Sequence, residues 1–382
     1  MKARLCSSFI LGIFFVATPA HAANDTKPDF GQTMIVGFFG TEKTAPGFID
    51  VMQNLESGRI GGVIFLPRNM ANPTKLRDMT LAVKNCKCKF PPFIALDEEG
   101  GRIQRLGPKL KEKNLPSARE TALLSDEQRH DIFETMATRV HNYGFNLNFG
   151  PVVDLDINPK NKIIGELGRS YSKDHEEVTA LAKEFIEAHR GRGILTALKH
   201  FPGHGSAQDD THKVAVDVTA VWKEIEIKPY ANLIQEELAD MVMVGHLASR
   251  KWGGTATLKG STAISDLLRR RLKYNGVVIT DDMFMGAVRD DKRTAVDATI
   301  SSFYAGADLV ILSRLENQDE DVGRKMYSAL SNALEKNDAL QQHVRRSVER
   351  ILQLKHKIEP IKAENSQNLI ESTKSFLRKL SE

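Results

Sequence analysis

The densest chemistry in the chain lies between Lys199 and His212, where His200, His204 and His212 alternate with Asp209 and Asp210. Two kinds of chemistry use such a set. Imidazoles and carboxylates bind divalent cations. They also move protons: Asp210 can hydrogen-bond the His212 ring, orient it and polarise it, because an Asp-x-His spacing in a loop lets both side chains turn to one side. One surface histidine would carry little meaning, but three beside Lys199 form a cluster. The lysine's charge weighs against a second cation there, so acid–base chemistry is the preferred reading. A metal-dependent hydrolase built on His200, His204 and Asp209 stays open as the alternative.

More polar residues follow short apolar runs elsewhere: Asp97-Glu98-Glu99-Gly100-Gly101-Arg102, Asp154 and Asp156, His246, Asp281-Asp282, and Asp308 to Ser313. The runs that precede or contain them are strand candidates: Met34–Phe39, Gly62–Leu66, Pro92–Leu96, Asn146–Val153, Leu195–His200, Met241–Gly245, Val277–Thr280 and Leu309–Leu312. They are rich in Val, Ile, Leu and Phe and nearly continuous in hydrophobicity, as strands buried on both faces of a parallel sheet are. Amphipathic helical patterns lie between them: Phe48–Ser57, Thr74–Val83, Asp126–Tyr143, His175–Arg190, Val221–Leu238, Ile264–Leu272, Ala295–Ala305 and Glu320–Glu335. This alternation predicts an α/β protein, a single (β/α)8 TIM-type barrel. A doubly wound open sheet competes, but no Gly-rich nucleotide turn follows the first strand. Gln342 to Lys357 reads as an extra C-terminal helix packing outside the barrel. In a barrel the carboxyl ends of the strands share one rim, and active sites sit there. Long loops over about 107–125 and 203–219 are expected to be functional.

Several of these segments resemble the bacterial β-N-acetylglucosaminidases of glycoside hydrolase family 3. They are Asp97–Arg105 (DEEGGRIQR), Asn148–Leu155 (NFGPVVDL), Gly168–Tyr171 (GRSY), Lys199–His212, Ile279–Met283 (ITDDM) with Met285-Gly286-Ala287, and Ala305–Asp308 (AGAD). Lys-His-Phe-Pro-Gly-His-Gly followed by Asp-x-His is the most specific of them. The resemblance covers roughly residues 30 to 355. It implies a TIM-type barrel and a retaining mechanism through a covalent glycosyl-enzyme, with no cofactor and no metal. It makes Asp281 the nucleophile, with Asp282 a structural neighbour. It makes His212 the general acid/base and Asp210 its orienting partner. Asp97, Arg105, Arg169, Lys199 and His200 would hold the sugar, and His246 would line its pocket. A histidine suits the acid role because its ordinary pKa is already near neutrality, whereas a carboxyl must be raised. Lys199 and Arg169 would help keep Asp281 ionised. The loop bearing His212 is expected to close over substrate. The family often carries Gln at the position of Glu98 and Ser at that of Thr211. Neither difference removes a catalytic group. A β-N-acetylglucosaminide phosphorylase is a close alternative, and a carbohydrate-binding protein without activity is a more distant one.

Composition narrows the setting. The chain has 382 residues, of which 41% are hydrophobic and 27% charged, an ordinary globular balance. Lys2 and Arg4, an apolar run from Leu5 to Ala17 and Ala20-His21-Ala22 predict a cleaved signal peptide over residues 1–22, since the run is too short for about 30 Å of hydrocarbon. Cleavage removes Lys2 and Arg4 and no acid, leaving 51 basic against 49 acidic residues and a charge of +2. That near-neutral balance gives no argument for nucleic acid or a membrane surface as a partner. The expected organisation is a barrel over 23–360 and a helical or flexible tail over 361–382, in a secreted or periplasmic monomer whose partner is a GlcNAc-containing oligosaccharide. Cys86 and Cys88 can pair in an oxidising compartment, though an incidental role for two thiols before a strand is the simpler expectation.

Overall fold

The computed structural model describes residues 29–289, 293–313 and 321–358. The expected leader over 1–22 and tail over 361–382 lie outside the described residues.

Eight parallel strands close into a barrel: β1 (Met34–Gly37), β2 (Gly62–Ile64), β3 (Phe93–Leu96), β4 (Leu147–Asn148), β5 (Leu195–Phe201), β6 (Met241–Val244), β7 (Val277–Asp282) and β8 (Leu309–Leu312). Each pairs with its neighbours in sequence, and β8 pairs back onto β1 through Met34 and Val310. The apolar runs are continuous because both faces are buried. Ile35, Phe93, Ala95, Leu195, Ala197, Met241, Met243 and Ile279 form a cluster inside the barrel. Their neighbours Val36, Ile94, Leu96, Leu198, Val242 and Val278 belong to the core between strands and helices. This is the period-two alternation of a pleated strand with two apolar faces.

The outer ring is α1 (Pro46–Glu56), α2 (Pro73–Lys84), α3 (Asp126–Asn142), α4 (His175–Arg190), α5 (Lys228–Gln235), α6 (Ala263–Arg271), α7 (Ala295–Ala305) and α8 (Val322–Leu334). The predicted helix over Val221–Leu238 is shorter and split. A 3-10 turn over Glu224–Ile227 precedes α5, because Pro229 has no N–H to donate and its ring excludes a regular helical turn before it. The predicted fourth strand is also cut short. Pro151 cannot donate to a ladder, yet the chain stays between β3 and β5 through Phe149 N to Leu96 O, Ala197 N to Gly150 O and Val153 N to Lys199 O. The predicted helix over Ile264–Leu272 forms with wider, π-type hydrogen bonding. The stretch 107–125 holds a 3-10 turn over Pro108–Leu110 and a short helix over Ala118–Ala122 capped by Ser117 and Glu120.

The extra helix α9 (Asp338–Lys355) does more than lie outside the barrel. Ile351, Leu354 and Ile358 join the interior cluster. Lys355 Nζ donates to Gln32 Oε1 and Gly61 O, each 2.7 Å away, at the amino ends of β1 and β2. The helix therefore closes the mouth opposite the active rim. Cys86 and Cys88 are joined as a disulfide just before β3.

Candidate active site

The carboxyl ends of β3, β5 and β7 and the segment after β4 supply the site. After β3, Asp97 and Glu99 lie two residues apart and so face the same way, while Glu98 between them turns into the protein. Glu99 is the centre of the polar network. Its carboxylate grips Arg169 bidentately, with Arg169 Nε at 2.7 Å and Nη2 at 2.8 Å, and accepts from Lys199 Nζ at 2.6 Å. The Glu99 side chain is only 5% exposed, so burial opposes its charge, but Arg169 and Lys199 outweigh that and hold it far below the usual carboxylate range. In return burial works against the Arg169 and Lys199 charges, and the pull of Glu99 overcomes it and raises both. Lys199 Nζ also reaches Asp97 Oδ1 at 3.0 Å, and Arg105 stands 3.6 Å from the other oxygen of Asp97. Asp97, Arg105, Arg169, Lys199 and His200 are thus brought together, with Glu99 as a sixth member that the sequence reading passed over. Period-two alternation beyond Asp97 was the signal that would have found it.

Asp154, which the sequence placed among the polar residues of the rim without a role, is the second. It is fully buried after β4, where one oxygen accepts from His204 N at 2.7 Å and the other from His200 Nδ1 at 2.7 Å. Burial raises its pKa, but the His200 contact more than cancels this and the carboxylate stays ionised. With Nδ1 committed to Asp154, His200 presents Nε2 to Arg169 Nη2, which donates to it at 3.4 Å. His204 takes no part in the pocket surface. It is buried, and desolvation pushes its pKa down to about 4, so it is neutral.

Asp281 sits half-buried at the end of β7 and accepts from the N–H of Asp282 at 2.8 Å. Burial works against its charge, but His200, His246 and His212 lie near enough to hold its pKa down to about 2. Asp282 points the other way. One of its oxygens accepts from Phe284 N and Ser313 N, tying the ends of β7 and β8 together, as suits a structural neighbour. His212 stands on the loop after β5. Asp210 Oδ1 accepts from both His212 N at 2.9 Å and His212 Nδ1 at 2.8 Å, which leaves Nε2 free on a side chain that is 61% exposed. Burial opposes the Asp210 charge, yet these hydrogen bonds lower its pKa.

His246 is placed differently from the expectation that it contacts the sugar. It is fully buried, Nδ1 pairs with Thr257 Oγ1 at 2.7 Å, and Nε2 pairs with the Asp282 carbonyl at 3.0 Å. A buried imidazole with both nitrogens engaged braces β7 beneath Asp281 and offers no atom to a ligand. The alternative metal set also fails to converge. His200 is committed to Asp154, His204 is buried, and Asp209 pairs at 3.0 Å with Lys162 on the surface. Among the described residues no group of three or more His, Cys, Asp or Glu side chains is arranged to hold a metal ion.

Residues 48–354 match the Glycosyl hydrolase family 3 N terminal domain. The chain belongs to glycosyl hydrolase family 3. Within that family it is 30% identical over 324 residues to beta-hexosaminidase A of Pseudoalteromonas piscicida, covering 78% of this chain and 54% of that protein. It is 31% identical over 293 residues to the beta-hexosaminidase of Xylella fastidiosa strain M23, covering 74% of this chain and 84% of that protein. The chain therefore spans about half the length of the first relative and most of the second. Among solved structures, a family 3 β-N-acetylglucosaminidase from Paenibacillus sp. str. FPU-7 superposes with a TM-score of 0.76 at 28% identity, over 87% of this chain and 62% of that one.

Proposed function

We propose that this chain is a β-N-acetylhexosaminidase that removes terminal, non-reducing β-linked N-acetylglucosamine with retention of configuration. One observation carries the reading. An ionised carboxylate, Asp281, has near it both His200 and an Asp210-oriented histidine with a free Nε2, His212, and His200 joins the network of Arg169, Glu99, Lys199 and Asp97. The names of the matched relatives support the sugar class. The Asp97–Lys199 pair and the Arg169 guanidinium offer charged donors and acceptors for sugar hydroxyls.

In the first step Asp281 attacks the anomeric carbon. The bond to the leaving oxygen breaks as His212 Nε2–H gives that oxygen its proton, leaving a glycosyl ester on Asp281 and a neutral His212. In the second step His212 takes a proton from water, the water oxygen displaces Asp281, and the sugar leaves with its original configuration. Asp210 stabilises the imidazolium of the first step and keeps the donating nitrogen on the substrate side.

Peptidoglycan fragments or chito-oligosaccharides met outside the inner membrane are the proposed substrates, and the exported N-terminus predicted from the sequence supports that setting. The test is release of p-nitrophenol from the β-N-acetylglucosaminide, with the anomer first formed read by NMR. The β-anomer supports retention, and the α-anomer overturns it. Asp281→Ala should abolish turnover, and full activity in that variant would sink the nucleophile assignment. Repeating the assay with phosphate separates hydrolysis, which yields free sugar, from phosphorolysis, which yields the sugar 1-phosphate. Comparing rates on muropeptides and chitobiose assigns the substrate, and cell fractionation assigns the compartment.

A further inference from the structure

The loop that carries His212 is fastened at its root and at its tip, and the fastening at the tip ties it to the strand end that carries Asp281. The root of the loop rests on the segment after β4. Asn161 Nδ2 donates to His204 O at 2.7 Å and to Gly205 O at 3.2 Å, and Asn158 Nδ2 donates to Ala207 O at 2.9 Å. Further along, Lys162 N donates to Gln208 O at 3.3 Å. The tip has a different neighbour. Gly286 N donates to His212 O at 3.0 Å and Ala287 N donates to Thr211 O at 3.1 Å, a two-rung backbone ladder between the turn after β7 and the two residues that end in the general acid/base.

That turn is rigid. Met285 N donates to Asp282 O at 3.0 Å, Asp282 holds Phe284 N and Ser313 N, and Met283 and Val288 are fully buried on either side. Thr211 is buried and the amides of Lys213 and Val214 turn back onto Asp210 O, but His212, Lys213 and Val214 are exposed, so the ladder is what joins this turn to the end of β7. Close approach of the two backbones also needs a residue without a side chain. A Cβ on Gly286 would lie 2.4 Å from Lys213 O, 2.8 Å from Lys213 C and 3.0 Å from His212 O. All three are backbone atoms, so no rotamer change relieves the contact. The glycine is required here for room.

We propose that Gly286 is a positioning residue for the acid/base. Through the ladder to His212 and Thr211, one turn of chain sets the separation between the nucleophilic carboxylate of Asp281 and the imidazole of His212. The proposal rests on the glycosidase reading for its kinetic consequence, and on the ladder alone for its structural one. An extra methyl at residue 286 pushes the backbone of 212–213 away and breaks both rungs, while Asp281, Asp97, Glu99, Arg169 and Lys199 keep their places. Proton delivery to the leaving oxygen should suffer, and sugar binding should not.

Gly286→Ala tests this on a pair of substrates. A 2,4-dinitrophenyl β-N-acetylglucosaminide leaves with little need of a proton, whereas a 4-methylphenyl one needs it. kcat/KM, which reports formation of the glycosyl-enzyme, should fall about 10-fold or more for the methylphenyl substrate and about 3-fold or less for the dinitrophenyl one, given the usual size of general acid catalysis. An equal loss on both substrates, or no loss on either, overturns the proposal. Amide hydrogen exchange is the second arm. In the wild-type protein the Gly286 and Ala287 amides should be protected, and in Gly286→Ala exchange should rise over residues 208–214 while the barrel strands stay unchanged. Exchange of both wild-type amides at free-peptide rates overturns the ladder without any variant, which covers the case of a variant that does not fold. Wild-type protein inactive on every β-N-acetylhexosaminide would defeat the glycosidase reading, and the exchange arm would still decide the ladder.

Discussion

Glu99 anchors two of the cations expected to hold the sugar, and its removal should show in both stability and activity. Glu99→Gln leaves the buried Arg169 with a neutral partner and Lys199 with Asp97 as its remaining carboxylate, so a loss of about 3 kcal/mol in urea unfolding is expected, the usual cost of breaking a buried ion pair. kcat/KM should fall by about 100-fold, because Arg169 loses the bidentate contact that orients it. The pH dependence has a definite sign. Glu99, Asp154 and Asp281 all have lowered folded-state pKa values, so the stability they contribute is present above the ordinary carboxylate range. It is lost as pH falls from about 4 downwards. Glu98 acts in the opposite sense. Desolvation, partly offset by the Arg105 and Leu106 amides it accepts, pushes its pKa up to about 7. The folded state then holds a proton that the unfolded chain has released, and stability declines from about pH 4 to pH 7. Glu98→Gln should flatten that decline, so that urea midpoints of variant and wild type draw apart in the variant's favour between pH 5 and pH 8. Parallel pH curves would count against the account.

Among the elements, the segment after β4 has two duties. It carries Arg169, whose N–H donates to Ile164 O, and through Asn161 it supports the loop that carries His212. Asn161 is buried and its four hydrogen bonds join these duties: its carbonyl oxygen accepts from Ile163 N and Ile164 N while its amide serves His204 O and Gly205 O. Asn161→Ala should cost about 2 kcal/mol, since buried backbone groups lose their partners. It should also lower kcat/KM by about 10-fold, as a shift of about 1 Å in catalytic groups does or exceeds. Chemical denaturation and steady-state kinetics check the two halves separately. Glu226 braces the same loop from its other side, accepting from Ser206 N, Ser206 Oγ and Lys223 N.

At the scale of the whole molecule, the two ends of the barrel do different work. Polar groups gather at the carboxyl ends of the strands, while Ile351 and Leu354 of α9 and Ile358 just beyond it fill the opposite mouth. Stability and activity should therefore separate. Ile351→Ala removes a fully buried side chain at the closed end and should cost about 3 kcal/mol. Its kcat/KM at 25 °C should stay within about 2-fold of wild type, because the groups proposed to be catalytic occupy the other face. A large kinetic effect with an unchanged denaturation midpoint would contradict that separation.

Sequence by itself determined the barrel and most of the rim. Runs such as Met241–Val244 and Leu309–Leu312 are short, apolar at every position and alternate with longer amphipathic stretches, as strands buried on both faces do. The order of those runs then placed Asp97, Lys199 and Asp281 at the same end. Local spacing also gave the Asp210–His212 pair, because its hydrogen bonds span two residues. What only the tertiary structure decided depends on contacts between residues far apart in the chain. His246 follows β6 at the same rim as the others, yet its partners Thr257 and the Asp282 carbonyl take both ring nitrogens out of the pocket. Glu99 became central because Arg169, 70 residues away, folds onto it. The Gly286 contact likewise needs the loops after β5 and β7 to lie side by side. Periodicity reports which face of an element is buried. It carries no information about which buried polar groups find one another, because that is set by the closure of the whole barrel.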